Sequence, residues 1–319
     1  MRLFTAILSA FAACCVACQD LQAAIVTSGY SLQQYASVTD PRALSFDASG
    51  NLYAGRDNFG SGGGFGDAIQ ILLVAPDLSV SPFGSAIADP DLLIVDRTGS
   101  ITGFAGSVIV GGSGGSGTTK LSAIHPDQST VQLLNTNQLS DVNGLAFNSL
   151  NQLVIGDGLG LSLYDGTSIT RLASLSVAVD SIGVDSTDRI FATTTDNTLK
   201  IFSSTGTLLD DSFVSGRYLR FAFGQGGGFG TDLYGVDQLT GELVHLSTSG
   251  DVDVIGSGFG NSFVTFGNDG AMYVSEFDND RVLRIQAVPE PTSLAIWGGI
   301  GLIGLVAGWR RKQRIQQRK

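Results

Sequence analysis

Three residues carry oxygen atoms of the kind a hard cation accepts: Asp91, Asn143 and Asp180. Each stands just ahead of an apolar run: Leu92-Leu93-Ile94-Val95, Gly144-Leu145-Ala146-Phe147 and Ser181-Ile182-Gly183-Val184. Carboxylate and amide oxygens suit Ca2+ or another divalent cation such as Mg2+. A cation held by them would polarise an ester carbonyl or activate a water molecule. The sequence offers no general base to go with it. Its two histidines, His125 and His245, are far apart and read as structural, so neither a zinc centre nor a Ser-His-Asp arrangement has support. Glycine-rich runs at 60–66, 111–117 and 224–230 open no helix and carry no phosphate-loop lysine. They read as long mobile loops on one face of the molecule, not as nucleotide cradles.

The elements that must position these residues come from a repeat. Six times the chain shows an apolar strand, a polar turn and a second apolar strand, as in Ala43-Leu-Ser-Phe-Asp-Ala-Ser-Gly-Asn-Leu-Tyr53 and Phe263-Val-Thr-Phe-Gly-Asn-Asp-Gly-Ala-Met-Tyr273. In the second copy, Leu92–Ile101, the second strand is expected to begin at Ser100-Ile101. Markers at Asp47, Asp96, Asn148, Asp185, Gly224 and Gly267 are 49, 52, 37, 39 and 43 residues apart, with a mean of 44. That period is the size of a four-stranded propeller blade. The sixth copy lacks a fourth strand, and 30–36 supplies a spare one, so an all-β six-bladed propeller closed by its N-terminal strand is expected. Closure removes two sheet edges that would otherwise invite aggregation. A β-sandwich is the other architecture the period allows. In a propeller each first strand begins at the central channel. Five positions back from the markers stand Arg42, Asp91, Asn143, Asp180, Leu219 and Ser262, which places the three candidate ligands at one channel mouth.

Asn143-Gly144-Leu145 and Asp180-Ser181-Ile182 resemble pieces of the gluconolactonase and luciferin-regenerating propellers. That resemblance implies a divalent metal held by Asn143 and Asp180, with Asp91 where the family has an Asn. The family's N-terminal Glu is missing; Thr39-Asp40-Pro41 stands there instead. Phe277-Asp-Asn-Asp-Arg-Val-Leu-Arg284 equally resembles NHL-type repeats.

Composition sets the partners. Residues 25–287 hold 27 acids and 11 Lys plus Arg, a net charge near −16, which excludes nucleic acid as a natural ligand. Asp-rich turns suit Ca2+, but Asp, Asn, Ser and Gly also simply build turns. The termini speak of export. Residues 1–24 have the basic start, apolar run and small residues of a signal peptide; Ala-Cys at Cys14 and Cys18 leaves lipidation as an alternative. All three cysteines lie in that leader, so the expected mature chain has no disulfide. Residues 288–319 run from Val288-Pro289-Glu290-Pro291 through an uncharged stretch, 294–309, to a tail with six cations and no acid. As a helix the stretch spans about 24 Å and would leave the basic end cytoplasmic. An ordinary membrane anchor would look similar, but Pro289, Glu290 and Pro291 make the segment resemble a PEP-CTERM sorting tail. That resemblance implies recognition by an exosortase-type membrane protease. The expectation is an exported, non-catalytic surface or matrix propeller, with exopolysaccharide or surface proteins as partners. The alternative is a metal-dependent lactonase-like hydrolase.

Overall fold

The computed structural model describes residues 24–57, 68–111 and 119–288. After β1 (Ile25–Val26) and β2 (Tyr30–Ser37), the strands fall into antiparallel sheets in chain order. Blade one holds β3 (Pro41–Phe46), β4 (Leu52–Arg56), β5 (Ala68–Val74) and β6 (Val80–Ala88). Blade two holds β7 (Leu92–Asp96), β8 (Ser107–Gly111), β9 (Thr119–Ile124) and β10 (Thr130–Asn135). Blade three holds β11 (Val142–Phe147), β12 (Leu153–Asp157), β13 (Gly160–Tyr164) and β14 (Ile169–Ser174). Blade four holds β15 (Val179–Val184), β16 (Ile190–Thr194), β17 (Thr198–Phe202) and β18 (Leu208–Ser215). Blade five holds β19 (Leu219–Phe223), β20 (Leu233–Asp237), β21 (Glu242–Leu246) and β22 (Val252–Ser257), with β1 added at its outer edge. Blade six holds β23 (Val264–Phe266), β24 (Met272–Glu276) and β25 (Arg281–Ala287), and β2 is its fourth strand. Tyr30 pairs with Ala287 and Ser37 with Arg281, so the first and last parts of the described chain close the ring.

Burial follows position in the blade. Second strands such as β12, β16, β20 and β24 are buried along their whole length, because neighbouring blades cover both faces. That is why their sequences run apolar without strict alternation. Outer strands are polar; β18 exposes Leu208 through Ser212. The closing seam is aromatic: Tyr273 of blade six meets Tyr35 of β2 at 4.9 Å and Phe46 of blade one at 4.7 Å, both edge-on.

Two polar devices recur. In the turns, Asp47 accepts hydrogen bonds from the Ser49 and Asn51 amides at 2.8 and 2.9 Å, and Asp185 does the same for Thr187 and Arg189, both at 2.9 Å. Asn148 fills this role in blade three, and Asp77, Asp127 and Asp165 hold turns between third and fourth strands. The abundant acids thus serve their own turns. The second device sits at the ends of the second strands, where an acid meets a cation. The pairs are Asp57–Arg42, Asp157–Arg171, Asp196–Lys200, Asp237–Arg217 and Glu276–Arg281.

One expectation is corrected. Blade two's second strand begins at Ser107, not near Ile101, because the buried Asp96 carboxylate gathers the amides of Gly99, Ile101 and Thr102 and folds 97–106 into a wide turn. Of the glycine runs expected to form loops on one face, 60–66 and all but the first residue of 111–117 lie outside the described residues. Gly224–Gly230 joins a first strand to a second. No helix among the described residues is long and apolar enough to cross a membrane; the expected span at 294–309, Pro289-Glu290-Pro291 and the leader up to residue 23 lie outside them.

Candidate active site at the upper channel mouth

The rim where the first strands begin is called the upper mouth. Three of these strands open with an irregularity. Val142 pairs with Asp157 and Gly144 with Gly156, so Asn143 has no opposite residue. Val179 pairs with Thr194 and Ser181 with Thr193, which leaves Asp180 in the same position. In blade one, Arg42 and Ala43 lie in the shift between the Pro41 and Leu44 pairings. A bulge of this kind re-aims one side chain while the rest of the strand keeps its register. Asp91 directly precedes β7, and its carbonyl accepts from the Ala43 amide at 3.1 Å, tying it to blade one. The approach is close enough that a Cβ on Gly55 would lie 2.7 Å from the Pro90 carbonyl oxygen, so only glycine fits there.

The three predicted residues therefore begin three consecutive blades, and each has a defined partner or environment. Asn143 Nδ2 donates to the Val179 carbonyl at 3.2 Å. Asp180 accepts from Arg220 Nε at 3.3 Å and from the Tyr218 hydroxyl. Burial, then the charge of Asp180, pushes the Tyr218 phenol above its ordinary range. Arg220 also donates to Asn261 Oδ1 at 3.3 Å and lies 4.2 Å over the Phe263 ring, so one guanidinium links blades four, five and six. Arg42 pairs with Asp57, stacks 4.3 Å over Phe277, and keeps a buried Nε with no hydrogen-bond partner among the described residues. Asp91 is half-buried, and protein surrounds most of its carboxyl. Burial first, then the charge of Asp89, pushes it up to about 7 against the opposing pull of Arg220 and Arg42.

Sequence counting missed Arg220, Tyr218 and Asn261. Five back from the blade-five marker is Leu219, which is fully buried. Blade five lacks the bulge, its register running unbroken from Leu219–Asp237 to Phe223–Leu233, so its channel residue falls one position later. Ser262, the blade-six candidate, is buried and bonded to the Phe259 carbonyl. The histidines are where a structural reading puts them. His125 Nδ1 is 3.0 Å from Ser107 Oγ inside blade two, and His245 lies on Tyr234, 3.0 Å from Asp232, in blade five.

No family model matches this chain, and no curated protein matches its sequence. Solved structures do. A gluconolactonase from Xanthomonas campestris superposes with a TM-score of 0.64 at 14% identity, over 82% of this chain and 91% of that one. The fold is the six-bladed propeller of gluconolactonases and virginiamycin B lyases. The Staphylococcus aureus virginiamycin B lyase aligns with a TM-score of 0.56 at 11% identity, covering 81% of this chain and 100% of its own. An auxiliary nutrient binding protein from Bacteroides ovatus aligns at 0.61 and 13%, over 82% and 78%. At such identities the likeness concerns the fold; function rests on the site.

A divalent metal at Asp91, Asn143 and Asp180 fits this mouth poorly. Asp180 already accepts the Arg220 guanidinium, and Arg42 adds a second positive charge. Among the described residues, no group of three or more His, Cys, Asp and Glu is arranged to hold a metal ion. What the mouth offers is a carboxyl group able to exchange a proton near neutrality, flanked by two guanidiniums. Such a set can take a proton from water and stabilise a developing oxyanion.

Proposed function

We propose that this chain is a hydrolase of the lactonase type, acting on a small, oxygen-rich ring ester at the upper mouth. The observation that supports it is Asp91, set at the start of β7 within the fields of Arg42 and Arg220 and held near neutrality. In this reading Asp91, as the carboxylate, removes a proton from water as the water attacks the ester carbonyl. Arg220 stands against the negative charge that develops on the carbonyl oxygen, and Asp180 with Tyr218 keeps Arg220 in place. Asp91 then returns the proton to the departing ring oxygen. No step is routed through a metal. The fold likeness to gluconolactonases agrees with this assignment. The test is turnover of a panel of aldonolactones by the full chain. Activity that rises with pH through about 7 and falls at least a hundredfold in Asp91→Asn is expected. A panel left untouched, or an Asp91→Asn enzyme as fast as the parent, overturns the reading.

The address of the protein is a separate proposal. The leader at 1–24 and the segment 288–319, with Pro289, Glu290 and Pro291, support export and handling by an exosortase-type protease. Delivery to the envelope or matrix would bring the propeller among exopolysaccharide and surface proteins. If the turnover test fails, a non-catalytic binding role there is the reading that stands. Cell fractionation of the parent and a Glu290→Ala variant tests the address; identical distributions would remove the sorting motif from the account.

A further inference from the structure

The channel has a second end, and the hydrolase reading does not use it. A cavity of about 400 Å3 runs between the first strands, from Asn143 and Phe263 near the upper mouth to the lower rim. Ile94, Phe147, Val184, Phe223 and Phe263 line it and remain only partly buried, although they sit at the centre of the molecule. Ser45 and Thr265 add two hydroxyls to the same wall. At the lower rim the lining is Arg97, Thr98, Asn151 and Gln225, all exposed. Arg97 is fixed there by its Nε, which donates to the Phe46 carbonyl at 3.1 Å.

The charge at this rim runs against the rest of the domain. Asp96 is the acid that reaches the lining, and it is fully buried, with its oxygens taken by the amides of Gly99, Ile101 and Thr102 and by the Thr102 hydroxyl. Arg97 is therefore the accessible charge on the lining of an otherwise acidic molecule. A cavity of this size with apolar walls and a few polar groups at one end is the usual form of a small-molecule site. Phe147 and Phe223, at the lower ends of their strands, present ring surfaces to a flat apolar body, and an arginine at the rim selects a planar anion through paired N–H donors. We propose that the lower channel binds a small aromatic carboxylate, ring inward between Phe147 and Phe223, carboxylate outward on Arg97.

Asp91 does not line this cavity, so the two readings fail separately. Calorimetric titration of the full chain with benzoate, phenylacetate and the neutral benzamide tests it. The carboxylates are expected to bind, benzamide at least tenfold more weakly, and the Arg97→Gln variant to lose at least tenfold in carboxylate affinity. Arg97 is exposed, so this variant is expected to fold as the parent does. Asp91→Asn is expected to bind the carboxylates unchanged. Absence of carboxylate binding at millimolar concentration, equal binding of benzamide, or Arg97→Gln binding as tightly as the parent would overturn the proposal. Carboxylate binding lost in Asp91→Asn but kept in Arg97→Gln would move the ligand to the upper mouth, and overturns it too.

Discussion

Asp91 couples pH to stability as well as to chemistry. Its folded-state value, about 7, lies above the ordinary 3.8, so the folded protein binds a proton more tightly than the unfolded chain. That contribution is complete below about pH 3.8 and is lost as pH rises through about 7. The turn acids act in the opposite sense: burial raises Asp185 and Asp269, but their hydrogen bonds together outweigh it and hold both below the ordinary range, so their contribution is lost on acidification. The melting temperature is therefore expected to peak between about pH 4 and 6, and Asp91→Asn to flatten the alkaline side. A parent and variant with the same slope above pH 6 would remove Asp91 from this role. The buried acids of the second strands are a different case. Asp237 is 1% exposed and joins Arg217 at 3.0 Å and the Leu239 amide at 3.0 Å. Asp237→Ala leaves both donors without that acceptor and should cost about 3 kcal/mol, read by urea unfolding. At this scale the sequence was informative where a bulge repeated and misleading where it did not. Arg42, Asn143 and Asp180 fell in step, whereas Arg220 was hidden by one missing residue that only backbone pairing reveals. Nor could counting anticipate that Arg220 reaches Asp180 from the next blade.

Blades are held together by close approach as much as by pairing. A Cβ on Gly156 in β12 would stand 2.6 Å from a Val179 side-chain carbon and 2.8 Å from Ile182, both in the next blade. Gly156→Ala should separate blades three and four slightly and destabilise by about 1–3 kcal/mol, measured by thermal or denaturant unfolding. An unchanged midpoint would show that the seam can yield. Strand order was readable from the repeat, including the role of 30–36 as the fourth strand of blade six, because period and spare strand leave few alternatives. The wide turn of blade two was not, since it depends on a buried carboxylate collecting amides from three later residues. The addition of β1 to blade five also went unread: Ile25-Val26 is too short to show a pattern, and its partner, Gly256-Ser257, is 230 residues away.

Seen whole, the molecule is an acidic ring whose carboxylates are mostly committed to its own turns and arginines. Addition of Ca2+, Mg2+ or a chelator is accordingly expected to leave the melting temperature of the parent unchanged, because an ion that binds no native site stabilises nothing. A rise that grows with the logarithm of metal concentration would contradict the assignment of Asp180 to Arg220. The ring also has a consequence for how the protein is made. A chain emerging in order presents β2 near its start, and its partner β25 only after every other strand has been delivered. For all that time β2 waits single, and blade six has an open flank. The join between the two ends is thus a completion mark: a chain interrupted anywhere along its length is left without it, and the protein cannot be finished in instalments.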